Sequence, residues 1–76
     1  MPDAVFRTVG DTDVVRNGLR VAEVRRPFIG AEDWEWLARD GYGRRLAGDR
    51  VRLLSEARMH AAHAVGLEYP PQEVTQ

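Results

Sequence analysis

DRVRLLSEARMHAAHAV, residues Asp49 to Val65, is the longest run in the 76-residue chain with a helical period and no Pro or Gly inside it. Leu53, Leu54, Ala57, Ala61, Ala64 and Val65 recur in steps of three and four, which puts them on one side of an α-helix. Gly48-Asp49 stands where a start signal belongs, and Gly66 where a stop belongs. A helix with one apolar side must lay that side on something, and the residues upstream supply the layer.

Ala4 to Val9 is rich in β-branched and aromatic residues and reads as a strand. Gly10-Asp11-Thr12-Asp13 is a turn cluster. Val14 to Arg16, Asn17-Gly18, and Leu19 to Val24 then form a hairpin signal, because Asn-Gly suits a two-residue type I′ turn. With that turn Arg16 faces Leu19, Val14 faces Val21, and Val15, Ala22 and Val24 share the opposite face. A helix from Asp13 to Arg25, capped by Thr12, competes with this reading, and Gly18 and the valines argue against it. Arg26-Pro27 closes the last strand.

Downstream of Gly30, Ala31 to Arg39 reads as a short helix, with Glu32 and Asp33 in its first turn and Arg39 in its last, as the helix dipole favours. Asp40-Gly41 ends it and Gly43 permits a bend. The expected fold is α+β: a three-stranded antiparallel sheet over Ala4–Val24, the long helix Asp49–Val65 across one face, and the short helix at the edge. One domain spans residues 1–76, with residues 67–76 extended and loose towards the end. The expected core is Val5, Val15, Val21, Val24, Phe28, Trp34, Leu37, Leu53, Leu54, Ala57, Ala61 and Val65.

A chain this short buries only about 60% of its unfolded surface, and it contains no Cys to brace the core. Small unbraced cores gain from oligomerisation. All eleven cations are Arg, with no Lys. A GC-rich coding sequence from a bacterium or phage explains that more simply than selection for bidentate donors. The net charge of −1 gives no global field for nucleic acid or an anionic membrane. No apolar run approaches the roughly 20 residues of a membrane span. Met1 to Arg7 lacks the layout of a secretory signal, so a cytoplasmic location is expected.

Three constellations stand out. Trp34 and Trp36, placed on a helix, point to different sides, so Trp34 is assigned inward. Trp36 becomes either an exposed interface anchor or a second wall of the core. With Tyr42, Arg44 and Arg45 it forms the candidate partner-binding set. Arg44, Arg45, Arg50 and Arg52 surround the start of the long helix, and two helices joined by a bend resemble a helix-turn-helix. A solvated basic face is the competing reading. Glu56, His60 and His63 share one helix flank and form a partial metal set, against the simpler reading of a solvated flank. Ser55 has no glycine elbow and no loop is built to cradle a phosphate, so catalysis has little support. No cofactor is expected. The leading expectation is a small non-catalytic module that binds a larger protein or itself, as an accessory subunit, regulator or phage-type inhibitor. A small DNA-binding regulator and a metal-binding or enzyme-associated module are the alternatives.

Overall fold

Five strands precede the helix in the computed structural model, which describes residues 2–69. They are β1 Arg7–Val9, β2 Thr12–Asn17, β3 Arg20–Arg25, β4 Trp34–Arg39 and β5 Arg45–Val51, followed by α1 Leu54–Ala64. The sheet is an antiparallel meander in chain order, β1-β2-β3-β4-β5. The α+β class stands, but the three-stranded sheet with two helices does not.

The largest correction falls on Trp34–Arg39, which is a strand and not a short helix. Its sequence alternates: Trp34, Trp36 and Ala38 face the helix, and Glu35, Leu37 and Arg39 face away. The acids before it imitate a helix start, and that imitation masks the two-residue period. The second correction concerns Asp49, which lies inside β5, so the helix begins five residues later than expected. With Trp34–Arg39 a strand and Arg45–Val51 paired to it, there is no helix-turn-helix among the described residues.

The expected hairpin forms with its register moved by two residues. Asn17 pairs with Arg20, Arg16 with Val21 and Val15 with Ala22, so the central turn residues are Gly18 and Leu19. Gly18 has φ +63° and no non-glycine residue among the described residues has positive φ, which makes the turn type II′ instead of I′. A slip of two preserves side-chain parity. Val15, Ala22 and Val24 therefore share a face as expected, although Val14 now faces Glu23.

The released Asn17 gains a different task. Its Nδ2 donates to the Val65 carbonyl at 2.7 Å, at the C-terminal end of α1. There Leu67 N–H donates to Ala62 O at 2.9 Å and Gly66 N–H to His63 O at 3.0 Å, with Gly66 at φ +83°. This is a Schellman cap, and the stop expected at Gly66 is where the helix ends. Beyond it the chain runs alongside the N-terminal segment. Ala4 N–H donates to Glu68 O at 2.8 Å, and Phe6 meets Tyr69 edge-on at 5.3 Å between centroids. The loose tail expected at residues 72–76 lies outside the described residues.

Helix α1 crosses β3, β4 and β5. Beneath it runs a cross-strand row of small residues, Val15–Ala22–Ala38–Ala47. Ala57, Ala61 and Ala62 of the helix, like Ala22 and Ala38 of the sheet, have no exposed surface. The adjacent row, Val24–Trp36, fills the space beside the helix, and Val65 and Leu67 close the core. Of the expected core, Val15, Val24, Ala57, Ala61 and Val65 are buried, while Val5, Phe28 and Leu53 are exposed. Val21 and Leu37 lie on the other side of the sheet.

One polar link ties the helix to the far strands. Arg58 donates from Nε and Nη2 to Asp13 Oδ2 at 2.9 and 2.5 Å, and Thr8 donates to Asp13 Oδ1 at 3.1 Å. The hydrogen bond to Asp13 raises the Arg58 pKa against the opposing effect of burial. Both side chains are mostly buried, so losing one leaves the other poorly solvated.

Two outcomes test this packing. Ala61→Leu keeps helix propensity but overfills the contact between α1 and the alanine row, and should cost about 1–3 kcal/mol in urea unfolding. A double-mutant cycle on Asp13→Asn and Arg58→Met should give a coupling of about 1.5–3 kcal/mol; simple additivity would show that the pair contributes nothing.

Candidate interaction surface

Strand alternation leaves the second face of the sheet without a covering element among the described residues. That face carries three cross-strand rows. The central one is Arg7–Val14–Glu23–Leu37–Gly48. On one side lies Arg16–Val21–Arg39–Arg45, and on the other Arg25–Glu35–Arg50. Six arginines thus share this face with two carboxylates. Among the described residues the other acids sit in turns and terminal segments, on α1, or, as with Asp13 and Asp49, on the helix-facing side.

Local geometry sharpens the basic character. Glu35 pairs with Arg25 at 3.5 Å and lies opposite Arg50. Arg39 and Arg45 face each other directly, because a register shift after Ala38 lets β5 present Arg45 opposite Arg39. Neither forms an ion pair among the described residues. Arg39 Nη1 donates to Gly43 O and Arg45 Nη2 to Gly48 O, each at 3.1 Å, which orients the guanidinium groups and leaves further N–H donors free. Gly48 is needed for space: a Cβ there would meet Trp36 O at 3.0 Å and Arg45 Nη2 and Leu37 Cδ1 at 3.1 Å. Arg25, Glu35, Leu37, Arg39, Arg45 and Arg50 border one shallow depression. Val5, Arg7, Val9, Val14 and Arg16 border another.

The β4–β5 loop is held by one carboxylate. Asp40 Oδ1 accepts the backbone N–H of Tyr42 at 2.8 Å and of Arg44 at 2.9 Å, and Oδ2 accepts Arg44 Nε at 3.2 Å. The backbone bond from Arg44 leads in lowering the Asp40 pKa below the usual aspartate value.

The residues singled out in the sequence are dispersed. Trp36, expected either as an interface anchor or as a core wall under Phe28 and the Tyr69 segment, lies in the core, 9% exposed and stacked on His60 at 5.7 Å, while Phe28 is exposed. Its Nε1 is buried without a hydrogen-bond partner among the described residues. Tyr42 is 86% exposed at the tip of the β4–β5 loop, with the Arg44 guanidinium 5.3 Å from its ring centre. Arg45 and Arg50 lie on the open face, Arg44 in the loop and Arg52 in the link to α1. Glu56, His60 and His63 are on α1, and no group of three or more His, Cys, Asp or Glu side chains among the described residues is placed to hold a metal.

Arg7, Arg16, Arg25 and Arg39 escaped the sequence reading because their neighbours are distant in the chain. A two-residue reading of Trp34–Arg39 and Arg45–Val51 would have put Arg39 and Arg50 on this face, but not Arg45, which only the register shift brings there. No protein-family model matches the chain, and no curated protein or solved structure is detectably similar to it.

Because the folded Asp40 pKa is depressed, its loop-holding contribution is complete above the unfolded aspartate pKa, about 3.9, and is lost as pH falls through the folded value. Carboxyl-carbon NMR should place the Asp40 midpoint below that of a free aspartate. Asp40→Ala should speed amide exchange at Tyr42 and Arg44 at neutral pH.

Proposed function

We propose that the protein is a small non-catalytic interaction module that works by contact, in the cytoplasm, through the open face of its sheet. One observation carries the reading: the helix covers one face, and the other holds Arg7, Arg16, Arg25, Arg39, Arg45 and Arg50 against Glu23 and Glu35. A partner bearing carboxylates or phosphates meets this surface without any rearrangement of the backbone. The role is that of a regulator or accessory subunit acting on a larger macromolecule.

Self-association is a second reading, favoured by the β3–β4 loop. Phe28 is 61% exposed and Ile29 fully so, beside Trp34, over whose ring the Arg26 guanidinium lies at 4.2 Å. Sedimentation equilibrium on the wild type and Ile29→Asp separates a dimer through this loop from a monomer.

Retention on immobilised heparin tests the open face. At pH 7.4 the wild type should be retained at low salt despite its pI near 6.1. Arg39→Glu/Arg45→Glu should elute at clearly lower salt, and Arg20→Glu, on the helix-facing side of β3, should shift little. Equal shifts for both variants, or no retention at all, would refute the proposal.

A further inference from the structure

The open face holds its charge in a pattern that identifies a ligand class. We infer that it binds the phosphate backbone of duplex nucleic acid, without reading sequence. The inference rests on the open face being the working surface.

Coding bias can explain why every cation is Arg. It does not explain why six of eleven occupy one face with only two carboxylates. Arg39 and Arg45 stand directly opposite each other, an arrangement that costs stability in the free protein. An anion placed between them removes that repulsion, and guanidinium forks suit phosphate oxygens.

Spacing favours a duplex. The row through Arg16, Arg39 and Arg45 and the row through Arg25 and Arg50 are separated by four residues along β3, from Val21 to Arg25. At about 3.4 Å per residue that is ~14 Å, close to the roughly 12 Å width of the DNA major groove. The strip between the rows carries Val14, Glu23, Leu37 and Gly48, with Arg7 at its β1 end. Two arginine-bearing rows, the second interrupted by Glu35, are therefore set to meet the phosphates on either side of a groove, with this strip over it.

What the face lacks decides against the other partners. Trp34 and Trp36 turn towards the helix, and Tyr42 is in a loop, so the face has no aromatic platform for unstacked bases and no aromatic anchor for a protein hot spot. Phosphate contacts need neither.

Fluorescence anisotropy at 50 mM salt tests this with three probes: a 20-base-pair DNA duplex, one of its single strands, and a Glu-rich peptide of matched charge. The duplex should bind most tightly, and its affinity should fall about 100-fold between 50 and 200 mM salt, as expected for three to four phosphates neutralised. Arg39→Gln/Arg45→Gln should weaken duplex binding about tenfold and reduce the salt slope by about two. Arg20→Gln, on the helix-facing side, should change it less than twofold, and HSQC spectra verify the fold of each variant. Peptide binding at least as tight as duplex binding, abolished by the same double substitution, would overturn this inference and leave the open-face reading intact. Tighter single-strand binding would overturn the duplex geometry. Duplex binding indifferent to Arg39 and Arg45, or no binding to any probe, would overturn both.

Discussion

The close seating of α1 on the alanine row is the contact on which the rest of the structure depends. Ala22 and Ala38 below, and Ala57, Ala61 and Ala62 above, let backbone layers approach without large side chains between them. The bulk is displaced to one side, where Val24 and Trp36 fill the space next to the helix. Such an interface gains little per residue, since an alanine buries few carbon atoms, so it relies on close fit and on tethers. Asn17 holds the C-terminal end of the helix, and Asp13 holds it through Arg58. Both tethers reach from β2, which fixes the helix against the whole sheet and thereby determines which face stays bare.

Legibility in the sequence followed parity. The hairpin reading put Gly18 one place too late in its turn, yet Val15, Ala22 and Val24 still share a face, because a slip of two residues does not turn a strand over; Val21, expected in the core, lies on the opposite side. At Trp34–Arg39 the error was one of period, and it could not cancel. Read as a helix, Trp34 and Trp36 diverge; read as a strand, they are neighbours on one face. The physical source of the error is that Glu32, Asp33 and Arg39 sit where helix ends prefer them, while local charge says nothing about the pairing with β3 and β5 that holds the strand. The end of the helix was legible at Gly66, since a left-handed cap is a local requirement. Its start was not, because Leu53 precedes the helix without any side-chain cap.

Net charge misled in a related way. A total of −1 argues against a long-range basic field, and that argument holds at distances beyond the Debye length, about 8 Å at physiological salt. At contact distance the relevant quantity is the charge of one face. Strand alternation sorts residues two apart to the same side and residues one apart to opposite sides, so a chain of mixed charge folds into a sheet with unlike faces. Arg50 and Asp49 are neighbours in sequence and lie on opposite sides of β5. The run that looked like a basic cluster, Arg44 to Arg52, is dispersed: Arg45 and Arg50 reach the open face, Arg45 only through the shift in register, while Arg44 lies in the loop and Arg52 in the link to α1.

The edges of the sheet direct contact onto its face. Strand β1 is three residues long, and β5 carries a register shift beside Arg39; short strands and bulges both hinder the addition of another strand. A partner therefore gains little by extending the ladder at either side. On the open face, opposed arginines at 39 and 45 are a cost that a purely solvated surface would relieve by interspersing carboxylates. Glu35 does this for Arg25, while no carboxylate among the described residues pairs with Arg39 or Arg45. The uneven neutralisation within one small face is the feature that solubility alone leaves unexplained, and the proposed phosphate contact rests on it.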